Sequence, residues 1–194
     1  MKQAASGNNE DVRPLIHAIR NGDQQAYSGV MQLYQRRVIA LALMIVRDSG
    51  AAEDVAQDAF VRAYTHLDRY DEQREFYPWL ATITVRLARN WLRTQARTTI
   101  REDAFVSEET NTNISLDSLG EIIADESGRK LWQSVASLPS GERTATLLYY
   151  RQEMKVVDIA AAMDVTSGTI KTLLFRARQK LRLALEEDKL ESAN

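Results

Sequence analysis

The chain has 194 residues, enough for one ordinary domain or two small ones, with 44% hydrophobic and 27% charged side chains and a formal net charge of only -2. It contains no cysteine, which excludes a disulfide scaffold and thiolate zinc sites. The longest apolar run, Val38 to Val46, is bracketed by Arg36, Arg37 and Arg47 and falls far short of the roughly 20 residues of a membrane span, and MKQAASGNNEDV lacks the apolar stretch of a secretory signal, so a cytoplasmic protein without membrane insertion is expected.

Proline and glycine are scarce, apolar residues recur at helical spacing, and strand alternation is absent, so the prediction is all-α. A short helix is expected near Val12 to Arg20. The next opens at Asp23 and runs to 47, with Tyr27, Val30, Met31, Tyr34, Val38, Leu41 and Ile45 along one face; Asp48, Ser49 and Gly50 mark its end. From Ala51 to Leu67 the residues Ala52, Val55, Ala56, Ala59, Phe60, Ala63 and Tyr64 form a clean core stripe. After the turn-rich DRYDEQREFYP, a helix is predicted from about Pro78 to Arg97, with Leu80, Ile83, Leu87, Trp91 and Thr94 as its packed face.

The small net charge hides a segregation along the chain. From Pro78 to Arg101 there are five arginines and no acid; from Glu102 to Gly128 there are eight acids and no base. The acidic stretch is rich in Ser, Thr and Asn, which predicts a flexible linker over 101–128 with one short helical turn around Leu116 to Ile123. Two small helical domains, 10–100 and 129–188, would flank it. In the second, helices are expected over Arg129 to Ser137, Ser140 to Gln152, Lys155 to Met163 and Ser167 to about Glu187, with EEDKLESAN as a fraying tail.

Residues 165–185 hold five basic side chains and no acidic one. Placed after the short amphipathic DIAAAM, they give 155–182 the anatomy of a helix-turn-helix. Asp164 suits a left-handed turn, and Thr166 or Ser167 can cap the second helix. Ile170, Leu173, Leu174, Ala177 and Leu181 would be buried, leaving Lys171, Thr172 and Phe175 for base edges and Arg176, Arg178 and Arg182 for phosphates. A solvated basic helix in an ordinary bundle has the same spacing, although Phe175 is awkward on such a surface.

In the first domain Arg86, Arg89, Arg93 and Arg97 share an arc, and like charges so placed repel one another unless an anion relieves them. Phe76, Tyr77 and Trp79 stand just upstream; they read either as stacking platforms for a single strand or as core. On the preceding helix Glu53, Asp54, Gln57, Asp58, Val61 and Arg62 lie opposite the core stripe. That face is open to solvation, to a hard metal or to a basic partner. His17 and His66 lack acidic or nucleophilic neighbours in the sequence, and no phosphate-cradling glycine loop occurs, so neither an enzyme nor a cofactor is expected.

Taken in order, these segments resemble the extracytoplasmic-function sigma factors of bacterial RNA polymerase. GDQQAY, LYQRRV and AAEDVAQDAFVRAY look like sigma region 2, FYPWL and the basic helix after it like the promoter-melting segment. LPSGERTATLLYYRQEMKVVDIAAAMDVTSGTIKTLLFRARQKLR resembles region 4, with GTIK and LFRAR its most specific words. Arg86 stands where the family often has Asn, Asn90 where it often has Asp, and Asp164 in place of the usual turn glycine.

The resemblance implies docking of Asp54, Gln57, Asp58 and Arg62 on the clamp helices of the polymerase core. It implies a hold on the melted minus 10 strand by Trp79, Arg86, Arg89, Arg93 and Arg97, and reading of the minus 35 duplex by Lys171, Thr172, Phe175, Arg176 and Arg178. It also implies control by an anti-sigma factor, soluble or membrane-bound. Two rival readings stand beside it: a helix-turn-helix regulator acting alone, and a sigma mimic that only titrates an anti-sigma factor.

Overall fold

The computed structural model of the protein describes residues 7–102 and 133–191, with side chains over 12–97 and 133–186. Every regular element among them is helical, and the chain divides into two compact units, Met1–Glu109 and Thr110–Asn194.

Unit 1 contains α1 (Gly7–Arg20), α2 (Ala26–Val46), α3 (Ser49–Thr65) and α4 (Phe76–Glu102). Helices α2, α3 and α4 pack on one another, and α1 lies against α2. Among the described residues α2 alone has the length and apolarity to cross a membrane; here it is a core helix, buried at Val30, Tyr34 and Val38 and throughout Leu41 to Val46. Asp23 accepts hydrogen bonds from the backbone N–H groups of Gln25 and Ala26 at 3.0 and 3.3 Å, so the expected opening signal acts just ahead of the helix.

The break after α2 is tighter than the sequence reading places it. Arg47 takes the left-handed conformation (φ 62°) and donates its N–H to Leu43, while the Asp48 carboxylate accepts from the Ala51 N–H at 2.7 Å. Asp48 is thus the N-cap of α3, an interaction of about 1 kcal/mol, and Ser49 and Gly50 are already helical. Tyr27 joins the two helices by donating to the Phe60 carbonyl at 2.6 Å, its ring 4.9 Å from that of Tyr64, and burial pushes its phenol pKa up.

In α4 the packed face is rotated from the predicted one. Leu80, Ala81, Thr84, Val85 and Ala88 are buried, whereas Ile83, Leu87 and Trp91 are half-buried and Thr94 is exposed. The small residues Ala81, Thr84 and Ala88 let the neighbouring helices approach closely, so the bulky residues that suggested a packed stripe sit at its edge. Phe76 and Tyr77 are core, which settles the choice left open for them. Pro78 sits in the first turn, where its missing N–H has no helical acceptor. The helix runs to Glu102, two residues into the predicted linker; the rest of that linker and its expected turn lie outside the described residues.

Unit 2 has a helical stretch at 133–136, then α5 (Ser140–Thr146), a π-helical turn (Leu147–Arg151), α6 (Val156–Met163) and α7 (Ser167–Glu191). Helix α7 packs on both α5 and α6. The helix expected to run unbroken to Gln152 widens after Thr146, with the Gln152 N–H reaching back to the Leu147 carbonyl at 3.1 Å. Such insertions often occur at functional sites. Two buried polar side chains brace α5. Arg143 donates to the carbonyls of Ala136 and Leu138 at 3.3 and 3.2 Å, and Glu142 lies 3.0 and 2.9 Å from Lys180 Nζ of α7. The α7 backbone stays helical to Glu191, through most of the segment predicted to fray.

Candidate nucleic-acid interfaces

Between α6 and α7 the chain makes the expected turn. Asp164 is left-handed (φ 54°) with its N–H on the Ala160 carbonyl, and the Thr166 hydroxyl accepts from the Thr169 N–H at 3.1 Å, which makes Thr166 the cap. Ile170, Leu174 and Ala177 are buried and Leu173 and Leu181 half-buried, so α7 is fixed about its axis. Lys171, Thr172, Phe175 and Arg176 are all exposed, Phe175 at 57%. Phe175 is thus an exposed aromatic on the basic side of α7 and not a residue buried at a bundle edge. The Thr172 hydroxyl donates to Gly168 O at 3.0 Å, which leaves its oxygen to accept from a base.

Arg178 and Arg182, both exposed, are engaged elsewhere. Arg178 Nε donates to the Tyr150 hydroxyl at 2.7 Å, and Arg182 pairs with Glu186 at 2.8 Å. Both line a groove of about 700 Å³ whose apolar walls include Val135, Leu147, Leu181 and Leu185. The candidate surface thus falls in two parts: Lys171, Thr172, Phe175 and Arg176 face solvent, and Arg178 turns toward the π-helical turn.

In unit 1 Trp79, Ile83, Arg86, Asn90, Arg93 and Arg97 fall within an arc of about 80° on α4. Arg86, Arg93 and Arg97 are exposed and Arg89 is half-buried at the margin of this arc. At its N-terminal end lies a concavity of about 300 Å³ lined by Trp79, Ile83, Arg86, Leu87 and Asn90 from α4, and by Arg62, His66 and Arg69 from the end of α3 and the turn after it. Trp79 is half-buried, its ring 5.3 Å from Tyr70 and 5.4 Å from Phe76, so one wall is a braced aromatic surface. Cationic groups beside an aromatic wall match a nucleobase with its phosphate.

The four residues expected to dock on a protein partner are all exposed on α3. Asp54, Gln57 and Asp58 are exposed along α3 with Val61, an apolar side chain 56% exposed among them. Arg62 lies one turn on and lines the concavity with Trp79 and Arg86. His66 and Arg69 were missed as site residues, because periodicity gives no sign of which side a post-helical turn will face. Their one signal was position, Arg69 inside the aromatic DRYDEQREFYP segment and His66 two residues before it.

The Sigma-70 region 2 family matches residues 30–98 and the Sigma-70 region 4 family matches residues 128–181. The chain is 33% identical to the ECF RNA polymerase sigma-E factor of Escherichia coli, covering 86% of this chain and 90% of that one. It is 30% identical to the RNA polymerase sigma-H factor of Pseudomonas aeruginosa, covering 91% and 95%. The fold is similar to that of the sigma factor RpoE solved with the anti-sigma factor NepR from Bartonella quintana (TM-score 0.63, 21% identity, 82% of this chain and 96% of that one). It is also similar to CnrH solved with the cytosolic domain of CnrY (TM-score 0.60, 22% identity, 91% and 97%). With both regions in sequence order and a relative above 30% identity along nearly its whole length, the chain belongs to the ECF RNA polymerase sigma factors.

Proposed function

We propose that this protein is an alternative sigma factor that brings RNA polymerase core to specific promoters, reading the minus 35 duplex with unit 2 and holding the melted minus 10 strand with unit 1. The observation that carries the reading is the concavity in unit 1, where Trp79 and Arg86 stand with Arg62 and Arg69. A convex basic helix alone would serve any duplex-binding regulator. An aromatic-walled cationic pocket in the unit that matches region 2 serves a strand taken out of the duplex.

In the proposed mechanism no covalent bond changes. Unstacking costs a few kcal/mol and is offset by stacking on Trp79 and by phosphate contacts from Arg86, Arg93 and Arg97, with Arg89 at the edge of the track. On α7, Lys171, Thr172 and Phe175 meet base edges and Arg176 a phosphate; Arg178 would reach DNA on leaving Tyr150. Asp54, Gln57 and Asp58, with Val61 among them, form the face for the clamp helices, and Arg62 stands where that face meets the pocket. The setting is the cytoplasm. By analogy with RpoE of Bartonella quintana, solved with an anti-sigma factor, this chain is expected to be held inactive by such a partner.

Run-off transcription with core polymerase on the promoters of transcripts induced by overexpression tests the proposal. A discrete product that disappears with rising salt is expected, since phosphate contacts release counterions. Duplex binding without any transcript would instead identify a regulator acting alone, and binding of an anti-sigma factor without either would identify a mimic.

A further inference from the structure

The pocket is held from behind by a helix that lies before the region 2 match. Arg20, the last residue of α1, donates through Nη2 to the carbonyls of Leu67 and Tyr70 at 3.0 and 2.8 Å, and through Nη1 to the Glu72 carboxylate. One turn earlier His17 Nε2 stands 3.1 Å from the other Glu72 oxygen. These carbonyls border the 3-10 turn Leu67–Arg69. That turn carries Arg69 into the pocket, and Tyr70 just after it braces Trp79. One guanidinium therefore fixes both the cationic and the aromatic wall across about 50 residues of sequence separation.

The turn is well suited to being held in this way. Leu67 and Tyr70 are buried, the Tyr70 hydroxyl donates to Arg74 O at 2.6 Å, and Asp71 Oδ1 accepts from the Gln73 N–H at 3.0 Å. Its shape is set internally, and Arg20 sets where it sits. Carbonyls at the end of a helical turn favour a cation, and the planar fork of arginine can meet two carbonyls and a carboxylate at once, which an ammonium on a single stem cannot do in the same geometry.

We propose that Arg20 is a positioning residue for capture of the unstacked nucleobase, acting through the Leu67–Glu72 turn rather than by touching DNA. This rests on the reading of the unit 1 pocket as a single-strand site. The family match begins at residue 30, so α1 brings to that site a part that the match does not contain.

The test uses the full chain with core polymerase and three substrates: a single-stranded minus 10 oligonucleotide with 2-aminopurine at the base to be captured, a minus 35 duplex, and polymerase core itself. For Arg20→Gln, strand affinity is expected to fall roughly tenfold, about the stacking contribution of one base, with loss of the fluorescence change, while duplex and core binding stay near wild type. Glu72→Gln keeps both carbonyl bonds and should retain most strand binding. Arg20→Lys keeps the charge without the fork and should resemble Arg20→Gln.

Unaltered strand binding by Arg20→Gln overturns the inference, and so does an equal fall in strand, duplex and core binding, which marks a purely structural residue. Should Arg20→Gln melt below the assay temperature, Arg20→Lys carries the same comparison. Failure of the wild-type chain to bind the strand would instead sink the single-strand reading of the pocket, whatever Arg20 does.

Discussion

Unit 1 and unit 2 each present a cationic, partly aromatic helix face, and they differ in shape. On α4 the aromatic Trp79 is half-buried in the wall of a concavity; on α7 the aromatic Phe175 stands out, 57% exposed, on a convex surface. A concavity of about 300 Å³ has room for an unstacked base, whereas a protruding helix has the shape that suits a major groove. Similar charge patterns thus take different shapes, and the difference lies in what packs beside the helix. The end of α3 and the Leu67–Arg69 turn wall in the start of α4, while Lys171, Thr172 and Phe175 are exposed on α7.

The two units are told apart most strongly by disabling one of them at a time. Lys180→Ala leaves Glu142, whose side chain is only 7% exposed, without its cation, and should cost unit 2 about 3 kcal/mol. Amide exchange is expected to rise through α5 to α7 with protection in unit 1 retained; equal loss in both would show that the units do not fold independently. Next in size, Trp79→Ala should weaken single-strand binding by about 1–3 kcal/mol and leave duplex binding at wild-type level, as read by titration with labelled oligonucleotides.

Within unit 2 the two classes of contact can be told apart. Lys171→Ala is expected to cost about 1–3 kcal/mol on the preferred minus 35 sequence and little on others, whereas Arg176→Ala should weaken all sequences alike and reduce the salt slope by about 1. The same dependence on sequence for both variants would contradict the division of roles.

The smallest effect is a pH dependence of unit 1. Burial raises the phenol pKa of Tyr27 and of Tyr70 above the ordinary 10.0, so the fold favours their neutral forms. That contribution is complete below pH 10 and is lost as pH rises through the raised folded values. Tyr27→Phe should blunt the alkaline loss of unit 1 helicity followed by circular dichroism, and an unchanged alkaline profile would exclude Tyr27 as its source.

Much of this was legible in the residues themselves. The core stripe of α3, the left-handed Asp164 and the cap at Thr166 each follow from local rules: spacing on one helix, tolerance of positive φ, and a hydroxyl placed to accept from an N–H three residues on. The outward arc of α7 is equally local, since burying Ile170, Leu174 and Ala177 leaves Lys171, Thr172, Phe175 and Arg176 outside. Less legible was α4, where the small Ala81, Thr84 and Ala88 occupy the packed face in place of the bulky Ile83, Leu87 and Trp91. The widening after Thr146 and the continuation of α7 to Glu191 also ran against local expectation.

By itself the sequence determined the all-α class, the separation of charge into two basic segments and an acidic stretch, and the motif order that identifies the family, because all of these reside in composition and short-range spacing. Which residues come together is set by the tertiary fold. It brings Arg62, His66 and Arg69 into the lining of the pocket, turns Arg178 toward Tyr150, and places Arg20 behind the pocket wall. Each of these depends on how one element sits against another remote in sequence, and helical periodicity fixes the angle of a side chain about its own axis but not what that axis faces.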